Sequence, residues 1–295
     1  MTGASKRFAV LLIAAIYIIA FITVYLIFPL LPFSSLLINL FIADVIATLV
    51  IYIFSMIFNN SSIYDPYWSL APPVIAVYFV SLFPDGNRVR QLVITALVLF
   101  WGVRLTLNWL RGWQGLRHQD WRYTSIAEKT GKMYWIVSFL GIHFMPTAFV
   151  FLGCLPLWYS MSAPANFNVF DLLAGIFTFS AILTEWIADE QLHRFRISDK
   201  RNRFIGTGLW QYSRHPNYLG EISFWGGMFL FVPAAYRFGN SGGYWTIIGL
   251  VLMILLFTLV SIPLMEKRNR ERKPGYPGYV KEVPPLLPRI FHKRN

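Results

Sequence analysis

Runs of apolar residues close to twenty long recur through the whole chain, and no other feature narrows the choice of fold so sharply. Eight can be drawn, at about 8–30, 36–58, 70–83, 91–110, 133–159, 169–190, 217–233 and 244–265. A helix rising ~1.5 Å per residue needs roughly 20 residues to cross the hydrocarbon of a bilayer, and most of these segments match. The third, which carries Pro72 and Pro73, and the seventh are shorter. Inside lipid every backbone polar group must find a partner within the protein, which helices achieve without help. The expectation is an all-α fold, a single integral-membrane domain of about 7–8 transmembrane helices. Composition agrees: 56% of the 295 residues are hydrophobic and only 14% charged.

The net charge of +12 would suit nucleic acid if it formed a patch. Its distribution argues otherwise. With the N-terminus inside, the cytoplasmic connections and both termini hold 22 of the 26 Lys and Arg residues. Outer connections hold only Arg88, Arg90 and Arg237, and Arg104 falls within the fourth span. This is the positive-inside pattern, and it accounts for the charge without nucleic acid as a partner. Anionic membrane lipids remain partners for the basic tail. The one cysteine, Cys154, excludes an intrachain disulfide and a cysteine-rich metal site. Residues 8–30 read as a retained first span rather than a cleaved signal.

The polar residues that composition does not require collect between the sixth and seventh spans. Glu185 and Asp189 are four apart, so they share a helix face, and His193 and Arg196 continue it. Asn217 and Glu221 repeat the spacing at the start of the next helix. Between them lie Arg201, Arg203, Arg214 and His215. Carboxylates and an amide accept from ribose hydroxyls and amide N–H groups, while guanidinium forks bind phosphate oxygens. The combination reads as a pocket for a phosphorylated nucleotide at one membrane boundary. A basic loop with ordinary helix caps would explain the arginines but not acids so close to bilayer depth. The tail adds Glu266, Asn269, Arg270, Tyr276 and Tyr279, and its Gly-Tyr-Pro-Gly-Tyr turn predicts a folded lid.

Elsewhere, Asp44 is an ionisable group in the second span, read as a residue paired within the bundle. Asp65, Tyr67 and Trp68 lie in a connection without Lys or Arg, where a Pro-broken re-entry or an aromatic belt are equal alternatives. Arg104 either snorkels or points into a polar cavity. Asp120 and Arg122 are placed in a Trp/Tyr-rich loop, where Arg122 is a candidate phosphate contact or simply Asp120's partner. His143 reads as a packing residue, Pro146 as a kink, and Gly226-Gly227 as a close helix contact. The Gly206–Gln211 segment fails as a dinucleotide fingerprint, because Gln211 stands at the third glycine position and no strand precedes it. No metal site is expected.

The SRHPNYLGE segment, the upstream E-x-x-x-D, and the E…GYPGY…P tail resemble the steroid 5-alpha-reductase family, more closely its bacterial-type branch of membrane proteins. The likeness is best over about 91–290, and the DPYW and WGVRL…QDWRY stretches share it. The resemblance implies NADPH as cofactor and reduction of a carbon–carbon double bond conjugated to a carbonyl, in a lipid or steroid-like substrate. It divides the domain into N-terminal helices 1–90 on the substrate side and a cofactor-binding core 91–295. Carried over by position, Arg104, Asp189, Arg196, Asn217 and Glu221 match cofactor-contacting residues. Arg122, Arg203, Arg214, His215, Tyr218, Glu266, Arg270 and Tyr276 complete the expected cofactor set. Glu185 stands where the steroid enzymes have Asn, and Trp101 where they have a catalytic Tyr. Asp65 is the nearest acid to their catalytic Glu, with Tyr67 as a further donor. RHPxY with a tail acid and Tyr also occurs in isoprenylcysteine and phospholipid methyltransferases, so an S-adenosylmethionine enzyme is the alternative, and a non-catalytic lipid-binding protein a third. The expected location is multi-pass in a bacterial inner membrane or an ER-type membrane, with both termini cytoplasmic.

Overall fold

The computed structural model describes residues 3–198, 203–239 and 242–288. All regular structure among them is helical: α1 Gly3–Ile27, α2 Leu36–Ile57, α3 Tyr67–Leu82, α4 Arg88–Gly112, α5 Trp121–Thr130, α6 Tyr134–Ser138, α7 Met145–Ser162, α8 Val169–Ile197, α9 Pro216–Ala235, α10 Ile247–Leu255, α11 Ile262–Arg272 and α12 Tyr276–Glu282. Two π-helical segments, Phe139–Phe144 and Leu256–Ser261, join α6 to α7 and α10 to α11. The first directly precedes Pro146. A proline lacks the N–H that would continue the α ladder, and the wider π turn absorbs that gap. The expected kink is thus a change of helical pitch.

Among the described residues, six continuous helical stretches are long and apolar enough to cross a membrane: 6–30, 36–57, 88–112, 121–162, 169–197 and 244–272. The polytopic expectation stands, with differences in detail. The third segment forms a helix of only 16 residues. The seventh forms α9, 20 residues long, but Asn217, Glu221 and its glycines lower its hydropathy, and much of it is buried. Residues 121–132 are not a loop: Asp120 caps α5, accepting from the Arg122 backbone N–H at 2.8 Å.

The chain folds as two units that interleave in sequence: residues 1–75 with 99–152, and 76–98 with 153–295. In the first, the core gathers Ile13, Ile16, Tyr17, Ile51, Ile63, Tyr64, Tyr67 and Trp113. A polar seam runs beside it. Thr48 and Thr147 hydroxyls meet at 2.7 Å, and Tyr64 Oη reaches Thr147 Oγ1 at 2.7 Å. His143 is fully buried, with Nδ1 3.0 Å from the Ser138 carbonyl and Nε2 3.2 Å from Ser55 Oγ, a packing histidine as expected. Asn60 donates to the Leu116 and His118 carbonyls at 2.6 and 3.1 Å, tying the 58–66 and 113–120 connections together.

The second unit centres on α8 packed along α9. Asn168 caps α8 in a capping box with Asp171. Asp171 also holds Arg90 by two bonds, 2.7 and 2.8 Å, with both side chains fully buried. Arg90, expected as a cation of an outer connection, is therefore neutralised inside the protein. Asn87 N–H donates to the Ala163 carbonyl at 3.1 Å. Within each unit, connections assigned to the same membrane face are bonded to each other.

Candidate functional site

Glycine decides how α8 and α9 meet. A Cβ built on Gly220 would lie 2.6 Å from Glu185 Cβ and 2.8 Å from its backbone N; one on Gly227 would lie 2.1 Å from Thr178 Oγ1. Both distances are far inside van der Waals contact, so the helices approach as closely as backbone allows. Gly227 bears out the expected close contact, whereas Gly226 has its nearest neighbour at 3.8 Å. Gly220 sits between Asn217 and Glu221, and its contact with Glu185 presses the start of α9 against the polar face of α8. As a result Asn217 Nδ2 donates to Asp189 Oδ1 at 3.3 Å. Asn217 Oδ1 is buried and accepts no hydrogen bond from the described residues. Glu185 and Glu221 are each only 4% exposed, and Glu221 accepts from Trp225 Nε1 at 2.8 Å. The two polar faces predicted from sequence do converge.

Immediately before α9, the tail binds the chain. Arg214 directs Nε and Nη2 at Glu266 Oε1, both at 2.7 Å, and Nη1 at the Val280 carbonyl at 3.0 Å and at the Val283 carbonyl. Its backbone N–H donates to the Pro284 carbonyl at 2.9 Å, and that of His215 to Pro285 at 3.1 Å. These are N–H groups that a helix start leaves without intrahelical partners, and the tail satisfies them. Glu266 further has His215 Nε2 at 3.5 Å and Arg270 Nη2 at 3.8 Å. The His215 ring stacks on Tyr218, 5.2 Å between centroids and 5° between planes. Tyr276 and Tyr279 are buried against Phe204, and the Tyr279 hydroxyl donates to the Trp210 carbonyl. Burial raises both phenol pKa values above their usual range. The folded tail expected from the Gly-Tyr-Pro-Gly-Tyr turn is a strap, started by Gly275 at φ +78°.

Arg214 and Arg270 are thus engaged with Glu266, a structural duty that sequence did not distinguish from phosphate binding. Arg196, at the end of α8, and Arg203 are exposed. Arg201 lies outside the described residues. Lys273 donates to the Arg203 carbonyl at 2.7 Å. Its proton affinity is lowered first by burial and then by the neighbouring cations Arg196 and Arg268.

The remaining expected site residues belong to the first unit. Asp65 and Tyr67 do not act as a pair. Tyr67 Oη lies 2.5 Å from Asp44 Oδ1, while Asp65 Oδ1 accepts from Tyr123 Oη at 2.6 Å. The reason is directional: Tyr67 opens α3 and turns toward α2, whereas Asp65, in the preceding turn, faces α5. Asp65 is half-buried. Desolvation raises its pKa to about 7, against the Tyr123 hydrogen bond and the Arg122 charge, which favour the carboxylate. Arg122 is bonded to Asp120 at 2.9 and 3.1 Å, the plainer of the two readings of that residue. Arg104 is 6% exposed within α4, so it does not snorkel, and Trp101 is fully buried. A small apolar recess, with room for no more than a water-sized group, is lined by Tyr17, Ala20, Phe21, Ala47, Ile51 and Tyr67, so the Tyr67–Asp44 pair borders it.

No cluster of three or more potential metal ligands occurs among the described residues. No solved structure matches the chain. An uncharacterised protein of Schizosaccharomyces pombe is 28% identical over 261 residues, covering 79% of this chain and 74% of that protein. The family described as "Protein of unknown function (DUF1295)" matches residues 51–283. A match over that much of the sequence settles membership: the chain belongs to the DUF1295 family.

Proposed function

We propose that the protein is a membrane-embedded NADPH-dependent reductase of a conjugated carbon–carbon double bond in a lipid substrate. The observation that carries this reading is the convergence of Asp189, Asn217, Glu185 and Glu221 where α8 meets α9. Asn217 Oδ1, buried and accepting nothing from the described residues, fits an incoming carboxamide N–H or ribose hydroxyl. Asp189 orients that amide through Nδ2. NADPH, when bound, supplies the hydride. The resemblance to steroid 5-alpha-reductases, carried by SRHPNYLGE and the GYPGY tail, points the same way. Both termini and the strap are assigned to the cytoplasm, where the coenzyme is available.

The test is coenzyme titration of the detergent-purified chain. Asn217→Ala is expected to weaken NADPH binding about tenfold, the value of one hydrogen bond to a polar ligand group with its orphaned partner. Unchanged affinity in Asn217→Ala and Glu221→Gln would remove the assignment.

One observation favours a second reading, an S-adenosylmethionine-dependent methyltransferase. Arg214 and Arg270 are engaged with Glu266, which leaves fewer arginines for phosphates, and that cofactor has none. Direct titration separates the two: S-adenosylmethionine binding at least tenfold more tightly than NADPH would favour the methyltransferase.

A further inference from the structure

Trp225 follows Glu221 one turn later on α9, so the two side chains share a face. They are bonded: Trp225 Nε1 donates to Glu221 Oε1 at 2.8 Å. Helical side chains lean toward the helix N-terminus, which brings the indole back over the carboxyl. Trp225 is 2% exposed and is also held from outside α9. A Cβ built on Gly153 of α7 would lie 2.6 Å from Trp225 Cε3 and 2.7 Å from Cζ3. The six-membered ring therefore occupies the space that any other residue at 153 would fill. Phe224 meets the indole edge-on, 5.1 Å between centroids and 76° between planes. The direction of the indole N–H is thus set by α7 as much as by α9.

Packing alone does not call for this arrangement. The space beside a glycine can be filled by Leu or Phe, which bring no polar atom to satisfy. A buried carboxylate costs more to desolvate than one hydrogen bond returns, and an apolar pair of similar volume is commonly as stable. What the bond supplies is orientation. A glutamate carboxyl turns about several rotatable bonds, and tying Oε1 to a fixed N–H removes that freedom. Glu221 is one of the four polar side chains that converge where α8 meets α9. A carboxyl already in place before a ligand arrives spares the cost of ordering it on binding.

We propose that Trp225, seated in the notch left by Gly153, is a positioning residue for Glu221. This deepens the coenzyme reading above and rests on it: Glu221 presents its carboxylate to a hydroxyl or amide N–H of the coenzyme, and the indole holds it at that angle. Through Gly153, α7 acts on the coenzyme site without touching the coenzyme.

The experiment is a double-mutant cycle, with NADPH titrated into the full chain in phosphatidylcholine nanodiscs. Trp225→Phe keeps an aromatic ring beside Gly153 and removes the N–H. It should weaken NADPH about tenfold, as should Glu221→Gln. The double variant should lose no more than Glu221→Gln alone, because the indole acts through that carboxyl. Gly153→Ala keeps the N–H but displaces the ring, and should weaken NADPH in the wild-type background and not in the Glu221→Gln background. Losses that multiply in the double variants mean that Trp225 only packs; they overturn the inference while the coenzyme site stands. Wild-type affinity in Trp225→Phe overturns it equally. Should Trp225→Phe fail to fold, indole N–H resonances of isotope-labelled tryptophan decide. One resonance is expected to move both in Glu221→Gln and when NADPH is added to the wild type, and the lack of any such common resonance overturns the inference. If the wild type does not bind NADPH, both readings fall together.

Discussion

Asp65 shows how a single carboxyl can report on its surroundings. Its folded pKa of about 7 lies above the unfolded value of about 4, so between those limits the folded state holds a proton that the unfolded chain has released. The Asp65 contribution is complete below about pH 4, and stability falls as pH rises through about 7. Asp65→Asn should flatten that part of the pH–stability curve while the Tyr123 hydroxyl still donates to the amide oxygen. Thermal unfolding in detergent from pH 4 to 8 checks it, and an unchanged slope would reject the assignment. Asp44 and Tyr67 make a different case. Tyr67→Phe leaves a buried acid without its donor and should lower the thermal stability of the first unit by about 1–3 kcal/mol, read by the melting temperature in detergent. Sequence showed Asp44 to be costly at its depth and to need a partner. It could not name Tyr67, because the pairing depends on where the turn at 58–66 points the first residue of α3.

Elements explain why the candidate site was partly legible. The i, i+4 spacings of Glu185 with Asp189 and of Asn217 with Glu221 follow from helical period alone, and the convergence of the two faces followed from their adjacency in the chain. What periodicity lacked was depth of contact. Gly220 supplies it, and a lone glycine within a polar helix start gave no signal of its own. Gly220→Ala would press a methyl into Glu185 backbone, which cannot yield, whereas Gly226→Ala has room. The first is expected to cost about 1–3 kcal/mol and to abolish coenzyme binding; the second should change neither. Melting temperature and titration of the two variants side by side decide it. Equal behaviour would mean that α9 is positioned by something else. Arg214 was ambiguous for a related reason: a guanidinium before a helix start looks the same in sequence whether it meets phosphate or backbone carbonyls. Arg214→Lys keeps the charge but loses the fork, so the 276–286 strap should become more sensitive to protease.

The molecule as a whole follows its hydropathy. Among the described residues the spanning stretches are fewer than the apolar runs, because α3 is short and Asn217, Glu221 and the glycines of α9 lower its hydropathy. Orientation is open to a direct measurement. Cys154 is the only cysteine and is buried, so the natural protein is already silent to impermeant thiol reagents. Asp85→Cys and Thr207→Cys place exposed thiols in connections assigned to opposite faces. In sealed, right-side-out vesicles the first should react and the second only after permeabilisation. Reaction of Thr207→Cys alone would reverse the topology, and reaction of both would break it; either removes the strap from the cytoplasm.

The strap has a consequence for biogenesis. The carbonyls that receive the Arg214 guanidinium come from residues 66 and 69 positions later in the chain. During synthesis, α9 and the α10–α11 span must therefore be made while Arg214 still lacks those acceptors. The start of α9 cannot reach its final geometry until the ribosome has passed residue 285. A nascent chain stalled before that point carries the six spanning stretches described above and an unfinished start of α9, a product that membrane insertion alone would not reject.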